Sequence, residues 1–379
     1  MRLLSLFRRR ERGQFLMIGA LLLPVLLGMA GMAVDVGKYA DERRNLQNAA
    51  DAIALAASQQ MCTPNPNDCS NTTAATTAAN AIATKNGINT SDMTVTYLGG
   101  NTAPKARVSI TRNHKFQFIR ILGINNKNVS GKAAAAKVSF GGGSGVVPWA
   151  VTQSTVDQAG VGNLVTMKYD ATGANNGNFG AIRIDGSGAA TYRSDVKYGA
   201  NSFICAVGTP NCSTGACPGT YPSGCAETAP SCDGPECSPE TGNMVGPTKD
   251  GVDFRMSNTS TACDTFAEAF GTPDPGTGLY HLASQCNPWL EGNQCPQTAT
   301  PCSRRVIIIP IIDQFGNGAS DPLTIQSFAL MYLEGYDNGK CQGNSCEIKG
   351  EFVKADINAR ALAGTYDPEA SITFTKLVE

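Results

Sequence analysis

The chain has 379 residues and a net charge of -1 from 30 basic and 31 acidic side chains, so no bulk positive field draws it to nucleic acid. Only 16% of residues are charged, and 41 glycines and 20 prolines favour a turn-rich, largely β chain over a helical bundle. Fourteen cysteines stand against two histidines, with no C-x-x-C pair, which points to disulfides in an oxidising compartment rather than to a metal site. No metal and no cofactor is expected.

The first 14 residues carry Arg2, Arg8, Arg9, Arg10 and Arg12, relieved only by Glu11. From Phe15 to Val34 no charge occurs, and a helix of that length crosses roughly 30 Å of hydrocarbon. The basic flank places the N-terminus in the cytoplasm and everything after Val34 outside it. Leu23-Pro24 lies mid-span, where proline withholds a helical donor and predicts a kink. A cleaved secretory signal is the rival reading, with small residues from Gly28 to Ala33. The apolar run is longer than a usual signal core, and the pattern beyond it continues as helix. Leu46, Ala49, Ala50, Ile53, Ala54 and Ala57 form one narrow apolar stripe between Lys38 and Met61.

These residues carry a resemblance. Arg12-Gly13, Leu23-Pro24, the Gly31-x-Ala33-x-Asp35-x-Gly37 run and the Leu46-Gln47-Asn48-Ala-Ala-Asp51 helix stand in the order and spacing seen in TadE/TadG-like proteins of the Flp (tight-adherence) pilus system. The N-terminal part, strongly over about residues 10–60 and more loosely to about 140, resembles that family. The looser part includes an apolar helix over Phe116–Gly123. The resemblance implies a membrane-anchored component of pilus assembly or adhesion, not an enzyme, with the inner membrane and other Flp/Tad proteins as partners. Pilin-like precursors of the system are cut after a glycine and carry a glutamate five residues on. A cut after Gly13 puts Ile18 there, so the resemblance implies a lasting signal anchor instead.

Further along, a helix is expected over Thr72–Lys85, with Cys62 and Cys69 placed to staple the turn before it. Strands are expected at Met93–Leu98, Lys105–Thr111 and Asn128–Ser139, completing a small α+β module over 35–140. The FGGGSG stretch reads as a flexible linker at 141–145, and a separate cysteine-rich β domain follows over 146–379. Its strands are expected at Leu164–Tyr169, Asn178–Ile184, Arg305–Asp313, Leu323–Glu334, Gly350–Asn358 and Ser371–Leu377. Ten cysteines lie from Cys205 to Cys302, where crosslinks substitute for apolar core. Cys212 with Cys217, Cys232 with Cys237, and Cys341 with Cys346 share one spacing and are candidate local pairs. The fold class is therefore α+β: a membrane helix continuing into a long helix on a small sheet, then a disulfide-rich, mainly β part.

Nothing linear points to catalysis. His114 and His281 lie in unrelated contexts, no Gly-x-Ser-x-Gly elbow is present, and there is no phosphate loop. Asp185-Gly-Ser-Gly-Ala189 reads as a turn: a von Willebrand A metal site needs serine where Ala189 stands, and no helix is expected after it. The alternative to a pilus role is an anchored glycan- or cell-wall-binding module, with Trp149 and Trp289 as stacking candidates.

Overall fold

The computed structural model describes residues 4–170, 178–209, 232–233, 236–257, 263–275, 277–289, 302–316, 321–357 and 362–378. In chain order the elements are α1 (Leu4–Gln59), α2 (Thr73–Lys85), β1 (Met93–Leu98), β2 (Lys105–Lys115), β3 (Asn126–Gly143), β4 (Val151–Thr152), α3 (Gln153–Ala159), β5 (Leu164–Lys168), α4 (Ala189–Tyr198), β6 (Ile204–Cys205), β7 (Cys232–Asp233), β8 (Glu236–Cys237), α5 (Val245–Met256), α6 (Phe266–Phe270), β9 (Tyr280–His281), β10 (Val306–Ile312), β11 (Leu323–Gln342), β12 (Ser345–Val353), β13 (Ala355–Asp356), β14 (Leu362–Gly364) and β15 (Ile372–Leu377). Helices and sheets segregate as an α+β chain.

The expected membrane helix and the amphipathic helix are one element. α1 runs unbroken through Pro24 for 56 residues, about 84 Å. Its first part is apolar on every side and packs against almost nothing: Met17, Leu23, Leu26, Leu27 and Met29 are all exposed. A helix apolar all round is at home in lipid. Its last part is the opposite. Leu46, Ala49, Ala50, Ile53, Ala54 and Ala57 are buried against Ala106, Val108 and Ile110 of β2 and against Val129, Ala133 and Ala135 of β3, with Ala75, Ala79 and Ala83 of α2 alongside.

Strand β3 organises everything else. After an exposed start at Asn126 and Lys127, residues Asn128 to Lys132 alternate between exposed and buried, the signature of a sheet covered on one face; from Ala133 to Gly143 every residue is buried. The second face acquires its cover there. Ala136, Val138 and Phe140 pack under Ile308, Phe328 and Leu330 of a second sheet, with Phe140 edge-on to Phe328 at 5.0 Å. The first sheet has the order β1-β2-β3-β15-β13-β9, with β6 and β14 also on β3; the second runs β4-β10-β11-β12-β5, with the β7–β8 hairpin joined to β11. In β10, Ile308 and Ile312 face the first sheet, while Ile307, Ile309 and Ile311 face outward onto Tyr192 and Val196 of α4 and Val252 of α5. The layers are therefore helix, sheet, sheet, helix.

Five sequence expectations change. The glycines at 141–143 are not a linker but the buried end of β3. A Cβ on Gly141 would lie 2.8 Å from the Gly364 nitrogen, and one on Gly142 would lie 2.4 Å from the Ile204 carbonyl oxygen. Glycine serves close backbone approach here, which composition cannot tell from flexibility. No clean division falls at 141–145 either, because β6, β9, β13, β14 and β15 complete the first sheet. The segment Asn178–Ile184 forms no strand, only isolated bridges at Asn178, Ala181 and Ile182. Helices α4 and α5 were not expected; α4 begins at Ala189, directly after the DGSG turn, while Gly and Pro inside VGPTKDGVDFRM disguise α5. Finally, Phe116–Gly123 forms a 3₁₀ turn at Ile119–Leu122 rather than an apolar helix.

Candidate functional site

The signature residues meet the folded part of the chain at two places along α1. The first is where the helix leaves its apolar stretch. Asp35 is buried, and its carboxylate accepts hydrogen bonds from the backbone N–H of Gln117 at 3.1 Å, Phe118 at 2.7 Å and Ile119 at 2.8 Å. These donors open the 3₁₀ turn Ile119–Leu122, whose first N–H groups have no partner within the turn. A carboxylate there satisfies them and complements the positive end of the turn. One helical turn earlier, Gly31 makes room: a Cβ on it would lie 2.6 Å from Phe118 Cγ. Gly31 and Asp35 are thus a socket and a clasp for the β2–β3 connection.

A small aromatic group continues the joint. The His114 ring meets Tyr39 edge-on at 5.7 Å and Phe116 at 5.2 Å, and His114 pairs with Glu42. The Lys127 ammonium lies 5.7 Å from the Tyr39 ring centroid. His114 therefore serves packing and pairing between β2 and α1. Beside it runs a groove of about 550 Å³ lined by Lys38, Asp41, Glu42, Asn45, Arg112 and His114.

The second place is three turns further on. Gln47 Nε2 donates to the Lys132 carbonyl oxygen at 2.8 Å and to Asp51 Oδ1 at 2.8 Å, and its Oε1 accepts from the Lys132 N–H at 3.3 Å. One side chain thus pairs with both backbone groups of a strand residue. Leu46 lies buried beside it, and Gly131 lets the helix backbone approach: a Cβ there would lie 2.3 Å from the Leu46 carbonyl oxygen. Asn48 is exposed on the rim of the groove, and Gly37 faces open space. Leu23, Pro24 and Val34 lie in the exposed apolar stretch; Arg12, Gly13 and Phe15 lie in the same helix, their side chains outside the described residues.

The cysteines brace turns, a hairpin tip and the core between the sheets. Cys62 is bonded to Cys69 across the turn after α1, where the Cys69 N–H also donates to Asn101 Oδ1 at 2.8 Å. Cys341 is bonded to Cys346 at the tip of the β11–β12 hairpin. Cys263 is bonded to Cys286, 23 residues away, a pair that no local spacing announces. Cys232 and Cys237 face each other across the β7–β8 hairpin, and Cys237 is disulfide-bonded. Cys212 and Cys217 lie outside the described residues.

Elsewhere the polar groups read as architecture. Trp149 is fully buried and donates from Nε1 to the Tyr192 hydroxyl at 2.8 Å, so it anchors a core rather than offering a stacking face. Trp289 is half-buried, packed against the core between the sheets. His281 is exposed, lining a cavity of about 210 Å³ with Gln59 and Asp356. Asp185, from the DGSG turn, accepts from the Asn201 and Ser202 N–H groups at 2.7 Å each. Burial, helped by the adjacent Asp185 charge, pushes the Asp195 carboxyl up to about 8, so it keeps its proton at neutral pH. Burial lowers the Lys168 ammonium to about 8, while its Nζ donates to Asn243 Oδ1 at 2.8 Å and to the Cys346 carbonyl at 3.1 Å. Among the described residues, no group of three or more His, Cys, Asp or Glu side chains gathers so as to hold a metal ion.

The family comparison falls on α1. Residues 13–60 match a family model described as Tad, putative Flp pilus-assembly TadE/G-like. The match covers the apolar stretch and the α1 residues of the two contacts, Gly31, Asp35 and Gln47. No curated protein and no solved structure matches the chain.

Proposed function

We propose, from an N-terminal module of the TadE/G-like kind, that this chain is a single-pass inner-membrane protein of Flp/Tad-type pilus assembly or surface adhesion. Its N-terminus lies in the cytoplasm, its bulk lies outside, and it acts with other Flp/Tad components without catalysing a reaction. The observation that carries this reading is that the family match and the joint coincide: Gly31, Asp35, Leu46 and Gln47 all fall within residues 13–60. The signature then has a mechanical role, coupling a membrane helix stiffly to the sheet it carries. Exposed apolar side chains along the first part of α1 and the basic flank before it support the anchoring and its direction.

The same geometry favours a lasting tether. Residues 28–33 are helical and Gly31 is built into the folded joint under Phe118, so a cut after Ala33 would discard half of that socket. The intact mass of the membrane-extracted protein is expected to include the first 34 residues; a chain beginning after Ala33 would contradict the tether. Deleting the gene is expected to abolish Flp-type piliation or adhesion in a strain that relies on it alone, with rescue by the full chain. Normal piliation in that deletion would overturn the pilus reading. After reduction, the cysteines are expected to react with a membrane-impermeant thiol reagent in intact spheroplasts; labelling only after lysis would invert the topology.

A further inference from the structure

We propose that the connection between β2 and β3 is a second membrane contact, a lipid-inserting tip that seats the folded part on the leaflet facing it. This inference rests on reading α1 as a membrane span. The connection presents four large apolar side chains to solvent: Phe118, Ile121, Leu122 and Ile124, with Ile121 82% and Leu122 66% exposed. Phe118 rests in part on Gly31, and Ile121, Leu122 and Ile124 stay exposed among the described residues; an exposed apolar cluster of this kind marks a contact surface.

Its position decides what covers it. The tip is fixed to α1 by the Asp35 carboxylate and by the Phe118 ring on Gly31. Gly31 lies three residues inside the uncharged stretch that ends at Val34, about 5 Å along the axis. If that stretch fills the hydrocarbon, Phe118 is held at its boundary, and Ile121, Leu122 and Ile124 stand beside the helix at the level of headgroups and upper acyl chains. Interfacial segments bury their apolar side about 5–10 Å into that layer. The charge agrees. From Lys115 to Lys132 there is no acidic residue, while Lys115 and Lys127 flank the apolar segment in sequence and Arg120 lies within it, all three exposed. Cations flanking an apolar tip suit an anionic lipid surface. A span and a second contact beside it fix tilt and rotation, which one helix alone leaves free.

The test uses the full chain in nanodiscs of mixed zwitterionic and anionic lipid, with acyl chains brominated either near the headgroup or deep in the bilayer. Leu122→Trp reports on the tip and Leu23→Trp on the span, each read above the emission of Trp149 and Trp289 in the unsubstituted chain. The expected result is loss of the Leu122→Trp emission with shallow bromines, and of the Leu23→Trp emission with deep ones. Quenching of Leu23→Trp with full emission from Leu122→Trp would overturn the lipid contact while leaving the span intact, and would assign the tip to a protein partner. Full emission from both would overturn the span, and this inference with it.

Discussion

Where α1 crosses β3, small side chains dominate beside Leu46, Ile53 and Val129: Ala49, Ala50, Ala54 and Ala57 pack with Ala133 and Ala135, and Gly131 meets the Leu46 carbonyl. On the other face of the same strand, Phe140 meets Phe328, with Ile308, Leu330 and Tyr332 around them. Small side chains bring two backbones close and position a rigid rod; large ones bury more area and supply stability. The helix side therefore reads as a device for placement, and the sheet–sheet side as the source of cohesion. Disulfides sharpen the contrast: Cys263–Cys286 and Cys341–Cys346 lie in the outer part, while the helix side has Cys62–Cys69 at its rim.

The largest loss is expected between the sheets. Phe328→Ala should lower unfolding free energy by about 4 kcal/mol, the ordinary cost of a buried phenylalanine, measured by denaturant titration. Removing the Cys263–Cys286 bond with paired alanines should cost about 3 kcal/mol through the freed 23-residue loop. On the helix side, Gly131→Val should cost roughly 2–3 kcal/mol, because the new side chain meets backbone that has no room to give. If Gly131→Val proves neutral, close approach is not what places the helix. Gln47→Ala should be milder, about 1 kcal/mol, since water can replace part of a half-exposed pairing.

Sequence alone was informative where a pattern is local. The uncharged run to Val34, the alanine stripe of α1, and strands β1, β2 and β10 each announce themselves by periodicity or by a β-branched run. It failed where a residue's meaning depends on a distant partner. Gly141 and Gly142 look flexible until β6 and β14 are seen against them. β15 lies on β3 across more than 200 residues, a pairing that no local signal marks and that removes the expected domain boundary. At the joint, Asp35 was recognisable as a signature residue, but its partners Gln117, Phe118 and Ile119 lie more than 80 positions away. Its role as a clasp was therefore hidden, as was the tip it holds. The buried Cys263–Cys286 pair was hidden for the same reason.

The central claim is that Asp35 locks the β2–β3 connection onto α1. Hydrogen exchange of Asp35→Ala beside the unsubstituted chain, both in nanodiscs, tests it most directly. Loss of a charge-assisted set of hydrogen bonds is worth about 2 kcal/mol locally, so exchange at the amides of Gln117, Phe118 and Ile119 should speed up roughly 30-fold. Protection in β2 and β3 away from the tip should hold. Unchanged exchange at those three amides would contradict the clasp, and with it the reading of the signature as a joint.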